Sequence, residues 1–93
     1  MADPFVERGE QIKQALLSME RSAQEQDLFS LGYMIPQIEL VLEMADYDIE
    51  HVTAEDFDDT YWEWLQHVFL QDGMSEQDCE LTTRLWQEAR QAA

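Results

Sequence analysis

Lysine and arginine are missing from the middle two thirds of this chain. Between Arg21 and Arg84 lie 62 residues that carry 16 Asp and Glu and no Lys or Arg. The first 21 residues hold four acids and three bases, and the last ten hold one acid and two bases. The formal charge of -16 therefore belongs to the middle of the chain. A surface of this kind repels nucleic acid and anionic lipid and attracts basic surfaces and cations. No direct nucleic-acid binding and no membrane association are expected.

Other scarcities narrow the class. Cys79 is the only cysteine, which excludes an intramolecular disulfide and a cysteine-type metal cluster. Three Gly and two Pro are too few for a turn-rich all-β fold. The longest apolar run, around Ile38 to Ala45, is interrupted by Glu39 and Glu43 and falls short of the roughly 20 residues of a membrane span. Met1 to Glu10 show neither the basic nor the apolar region of a secretory signal. A cytoplasmic protein is expected. Apolar residues nevertheless make up 45% of the 93 residues, enough for a folded domain in place of a disordered acidic tail.

The apolar residues recur with helical spacing. Asp3 before Pro4 reads as an N-cap with proline at the first helical position. Phe5, Gly9, Ile12, Leu16, Met19 and Ala23 then trace one face of a helix over about residues 4–24. Leu28, Leu31, Ile35, Ile38, Leu42 and Ala45 trace a second over about 27–46. Pro36, with Gly32 four residues earlier, predicts a kink or short break there. Thr53 and Asp56 resemble a capping box opening a third helix over about 54–71, with Phe57, Tyr61, Trp64, Leu65 and Val68 facing inward. Gly73 suits a left-handed helix end. Ser75 and Asp78 open a fourth over about 76–91, whose inner face is Cys79, Thr82, Leu85, Trp86 and Ala89. Short connections between four helices predict an all-α fold, a single small antiparallel four-helix bundle spanning residues 1–93.

No catalytic or cofactor signature emerges. The run Asp46-Tyr47-Asp48-Ile49-Glu50 suggests a calcium loop, but the glycine and bidentate-glutamate places hold His51 and Phe57. His51, Glu55 and His67 form no recognised zinc spacing. Asp58-Asp59 lies in a crowded acidic face expected to be wet, unlike the cleft that acid–base work needs. Cys79 lies in the first turn of a helix but also on its apolar stripe, where a buried inert thiol is the ordinary outcome. Gly-rich phosphate loops are absent. No catalytic, metal or cofactor residues are assigned, and the protein is not expected to be an enzyme.

The acidic rows remain. Glu39, Glu43, Asp46 and Glu50 form one, and Glu55, Asp59 and Glu63, with Asp56 beside them, form another. Neighbours three or four apart on a helix lie about 5–6 Å from each other, a spacing comparable with successive phosphates of a DNA strand. An acidic amphipathic helix also produces such a row on its solvent face. Trp62, Phe69 and Leu70 are candidates for an exposed anchor beside the carboxylates, because aromatics concentrate at interface centres. The competing reading packs this helix on two sides.

The block Asp27-Leu28-Phe29-Ser30-Leu31-Gly32-Tyr33-Met34 resembles the Leu-Phe-x-x-Gly-Tyr-Leu signature of the YfcL-like proteins of gammaproteobacteria. Met74-Ser75-Glu76-Gln77-Asp78, with Leu81 and Trp86, resembles that family's closing segment. The resemblance implies a helical fold and no particular activity. Pro36-Gln37 departs from the family's Gly-His pair, and the acidic connection from Asp46 to Asp59 is unusually rich. Physically, Gly32 between Phe29 and Tyr33 offers bare backbone where a neighbouring helix could approach.

The expected function is a protein–protein interaction module that binds a basic partner surface through its acidic helical faces. A DNA-mimic inhibitor of a nucleic-acid-binding protein is the alternative, and a metal-binding protein or enzyme the weaker one. Carboxylate crowding is expected to raise pKa values and so to raise stability as pH falls from 7 toward about 5.

Overall fold

A computed structural model describes residues 3–93. Met1 and Ala2, the first residues of the expected domain, lie outside the described residues. Helix α1 spans Pro4–Ser22, α2 Glu25–Met44, α3 Ala54–Gln71 and α4 Glu76–Ala92, with no strand among the described residues.

Local chemistry starts and stops these helices. The Asp3 carboxylate accepts the amides of Phe5 and Val6 at 3.0 and 3.2 Å, ahead of Pro4 at the head of α1. Both arms of the Thr53–Asp56 capping box are formed, with Thr53 N–H donating to Asp56 Oδ2 at 2.8 Å and Asp56 N–H donating to Thr53 Oγ1 at 3.3 Å. Gly73 closes α3 at a φ of 60°, while Met74 N–H donates to the Phe69 carbonyl at 3.0 Å. Ser75 Oγ accepts the Asp78 amide at 3.2 Å and opens α4.

Helix α2 begins at Glu25, two residues before the expected start, and no break interrupts it at Pro36. The bond that proline removes would have run to the Gly32 carbonyl, and both residues lie on the exposed side of the helix. Water can satisfy that carbonyl.

The core draws on all four helices: Phe5, Ile12 and Leu16 from α1, Leu31, Met34, Ile38 and Val41 from α2, Phe57, Tyr61 and Leu65 from α3, and Leu85, Trp86 and Ala89 from α4. A row of rings runs through it. Tyr47 lies on Phe5, Phe5 against Phe57, Phe57 along Tyr61, and Tyr61 against Trp86, with centroids 4.3, 5.2, 5.6 and 5.0 Å apart. Such pairs contribute about 0.5–1.5 kcal/mol each beyond their burial. The Tyr61 hydroxyl, whose pKa burial pushes upward, donates to the Met34 carbonyl at 2.7 Å. In α4 the buried Thr82 Oγ1 has no hydrogen-bond partner among the described residues.

Helices α1 and α2 pack against each other and against both remaining helices, while α3 and α4 meet less extensively, with Tyr61 against Trp86 and Asp58 paired to Arg90. The smallest dimension of the molecule is 18 Å, about two helix diameters.

The close helix approach foreseen at Gly32 occurs instead at Gly9. A Cβ on Gly9 would lie 2.8 Å from Leu42 Cδ2 and 3.0 Å from Phe57 Cε2, whereas one on Gly32 would meet nothing within 4 Å. Two substitutions should therefore diverge. Gly32→Ala should stabilise by about 0.5–1 kcal/mol through helix propensity. Gly9→Val should destabilise by about 1–3 kcal/mol through overpacking. Urea denaturation midpoints measure both, and a stabilising Gly9→Val would contradict the packing described.

Candidate acidic interaction surface

Four of the five Lys and Arg residues turn out to be engaged within the chain. Arg8 and Arg90 pair with Asp58, Lys13 with Glu39, and Arg84 with Asp27. Arg84 also approaches Glu88 on its own helix at 3.8 Å. Every partner but Glu88 comes from the base-free middle of the sequence. Arg21 makes no ion pair among the described residues.

Asp58 is the centre of this pairing. Arg8 Nε and Nη2 donate to its two carboxylate oxygens at 2.9 and 3.0 Å, in a bidentate fork. Arg90 Nε donates to Oδ2 at 3.3 Å, and its guanidinium lies 5.5 Å from the Trp86 ring centroid. The side chain of Asp58 is 9% exposed, against 15% for Arg8 and 42% for Arg90. The hydrogen bond to Asp58 raises the pKa of Arg8 above its ordinary value. The wet, crowded setting expected for Asp58 is therefore corrected: it faces inward as an ion-pair partner, while Asp59 alone faces solvent.

The remaining acidic candidates sort by what already holds them. Glu39 is exposed but joined to Lys13, and Asp56 is exposed but used in the capping box. Glu43 on α2, Asp46 and Glu50 in the connection, and Glu55, Asp59 and Glu63 on α3 are exposed without an ion pair among the described residues. Asp46, Asp48, His51 and Asp56 line one shallow cleft of about 350 Å³, floored by Phe5, Tyr47 and Val52. His51 Nδ1 lies 2.7 Å from Asp48 Oδ2. Among the described residues no three His, Cys, Asp or Glu side chains are grouped to hold a metal ion.

The aromatic anchors need revision. Phe69 is 8% exposed and meets Trp62 edge-on at a centroid distance of 6.4 Å, so it is part of the core and not a surface anchor. Trp62 is half-buried, whereas Leu70 is 84% exposed. The sequence reading overlooked Leu40 and Met44, which are exposed on α2. Met44 borders a small cleft of about 160 Å³ with Val41, Ala45, Thr60 and Trp64. Their signal was present in the sequence: α2 carries apolar residues on more sides than one core can cover.

Comparison with protein-family profiles, curated proteins and solved structures gave no significant match. The geometry stands alone. No helix among the described residues is long and apolar enough to cross a membrane.

The buried pairing makes two neighbouring aspartates unequal. Asp58→Asn leaves two guanidinium groups short of their partner and should cost about 3 kcal/mol. Asp59→Asn should change stability by less than about 0.5 kcal/mol. Equal, small effects in chemical denaturation would mean that the pairing contributes little.

Acid stability can be given a sign at two positions. The Tyr47 hydroxyl, donating to Asp3 at 2.7 Å, is the main cause that lowers the Asp3 pKa, with the Val6 and Phe5 amides assisting. His51 chiefly lowers that of Asp48. At both positions hydrogen bonding outweighs the desolvation that would raise the pKa, so these two carboxylates shift opposite to the rise expected from crowding. In the acid range the unfolded chain binds more protons at these two groups, so their stabilisation is present above about pH 4 and lost below it. Tyr47→Phe keeps the ring against Phe5 but removes the hydroxyl. It should reduce the fall in melting temperature on acidification below about pH 4, and an unchanged acid limb would contradict this role for the bond.

Proposed function

We propose that the chain is a cytoplasmic protein–protein interaction module that binds a basic partner surface through α2, the 45–53 connection and α3. One observation carries this reading. Glu43, Asp46, Glu50, Glu55, Asp59 and Glu63 face solvent without ion pairs among the described residues, while four of five Lys and Arg are engaged within the chain. A surface of one sign favours encounter with the opposite sign and accelerates it. Exposed Met44 and Leu40, and half-buried Trp62, supply short-range contact beside those carboxylates. The reading includes no catalytic residue, no cofactor and no direct contact with nucleic acid.

The scaffold belonging to this proposal is an antiparallel bundle with α2 bent near Gly32 and Pro36. Short connections and a proline inside α2 support it. Kinship with the YfcL-like proteins rests on the two sequence blocks and carries no activity with it.

A DNA-mimic inhibitor is the second reading, favoured by the exposed four-residue spacing of Glu55, Asp59 and Glu63. A metal-binding protein or enzyme is the weaker alternative. Affinity capture from cell lysate at low salt, followed by a salt wash and a DNA competition, separates the first two. The module should retain a basic protein that salt releases. A variant carrying Glu55→Gln, Asp59→Gln and Glu63→Gln should lose that protein while keeping its melting temperature. Release by DNA would favour mimicry, and equal retention by the triple variant would defeat both readings.

A further inference from the structure

Two clefts meet at the seam between the end of α2, the 45–53 connection and the first half of α3. The wider, of about 350 Å³, is floored by Phe5, Tyr47 and Val52 and edged by Asp46, Asp48 and Asp56. The smaller, of about 160 Å³, is lined by Val41, Met44 and Trp64. Ala45 and Thr60 line both, so the two are lobes of one groove.

The aromatic walls of this groove are fixed by the fold itself. Tyr47 lies on Phe5 with ring centroids 4.3 Å apart, and its hydroxyl donates to Asp3 at 2.7 Å. Trp64 Nε1 donates to Gln37 Oε1 at 2.7 Å. With their polar tips held by neighbours, both side chains have only ring surface left to offer. Side chains already held in place lose little freedom on binding, which favours affinity.

Charge and apolar surface together identify the occupant. No Lys or Arg lines either lobe, and His51, on the rim of the wider one, is already held by Asp48 at 2.7 Å. Asp46 is exposed and makes no ion pair among the described residues. The wider lobe therefore favours a cation, and its floor favours a cation carried on an apolar stem. Arginine has both parts. Its stem packs on apolar surface, and its flat guanidinium stacks on rings and forks onto carboxylates. The smaller lobe has no charged residue in its lining. Its volume is close to that of an engineered cavity of roughly 150 Å³ that holds benzene, which suits one aliphatic side chain.

We propose that this groove docks a segment of the basic partner in which an arginine and a nearby aliphatic residue enter together, the arginine in the wider lobe and the aliphatic side chain in the smaller. The inference rests on the partner-binding reading and deepens it. The outer carboxylates attract a basic protein from a distance, and the groove selects which segment of it makes contact.

The test titrates blocked peptides, each with one arginine and one leucine joined by a glycine spacer of varied length, into the full chain. At about 0.15 M salt the Debye length is about 8 Å, so distant charges are screened. Amide and indole chemical shifts report both site and affinity. The tightest member of the series should move the amides of Ala45, Tyr47, Val52 and Thr60 together with the Trp64 indole. Serine in place of the leucine should weaken binding about tenfold, the value of burying one aliphatic side chain. Citrulline in place of the arginine, which keeps the shape and removes the charge, should weaken it by at least about threefold. Asp46→Asn should also weaken it about threefold. Glu55→Gln, an equal change of charge at a residue that lines neither lobe, should leave it unchanged. Leucine and serine peptides that bind alike, or equal losses in the two protein variants, would overturn the groove. Binding of oligolysine at low salt, with no shift from any arginine–leucine peptide, would overturn it while the basic-partner reading stands. No shift from either probe would overturn both.

Discussion

Asp58 is the one buried carboxylate among the described residues, and the placement of three helices depends on it. Arg8 reaches it from α1, Arg90 from α4, and Asp58 itself stands on α3. A carboxylate taken out of water must be paired and hydrogen-bonded, because its desolvation is costly and grows as neighbours close in. Two guanidinium groups meet that requirement with three donated hydrogen bonds. The arrangement also ties the two ends of the chain to its middle, since Arg8 and Arg90 lie 50 and 32 residues from Asp58.

Segregation along the sequence thus becomes pairing across the fold. Lys13 with Glu39 and Arg84 with Asp27 repeat the pattern nearer the surface, where each pair contributes little, about 0–1 kcal/mol. They also set which charges the surface presents. Cations drawn toward internal partners no longer offset the outer carboxylates of the 45–53 connection and α3. An acidic composition becomes an acidic face, set beside the exposed apolar residues of α2.

Much of this was legible because it is local. Asp3 before Pro4, Thr53 with Asp56, and Gly73 act within four residues of their own position, so spacing alone reveals them. The four helical segments follow from apolar periodicity. Asp58 was misjudged because its partners are remote and its neighbour is chemically identical. Helical phase did contain the distinction: Asp58 lies three before Tyr61 and seven before Leu65, on the buried side, whereas Asp59 shares its side with Glu55 and Glu63. Phe69 was misplaced for a related reason, since α3 is apolar over a wide arc and only packing decides which edge is covered. The two helical glycines were legible as special but not by role. Gly9 meets Leu42 and Phe57 from other elements, while Gly32 faces open space.

The central claim is that four of the five bases are engaged within the chain, and that the proposed partner surface lies on α2, the connection and α3. Amide chemical shifts followed during titration with a short oligolysine peptide at low salt test it most directly. The account predicts saturable shifts concentrated between Glu43 and Glu63, with the amides around Arg8 and Arg90 unmoved. Shifts spread evenly over all four helices, or largest at the chain ends, would contradict it.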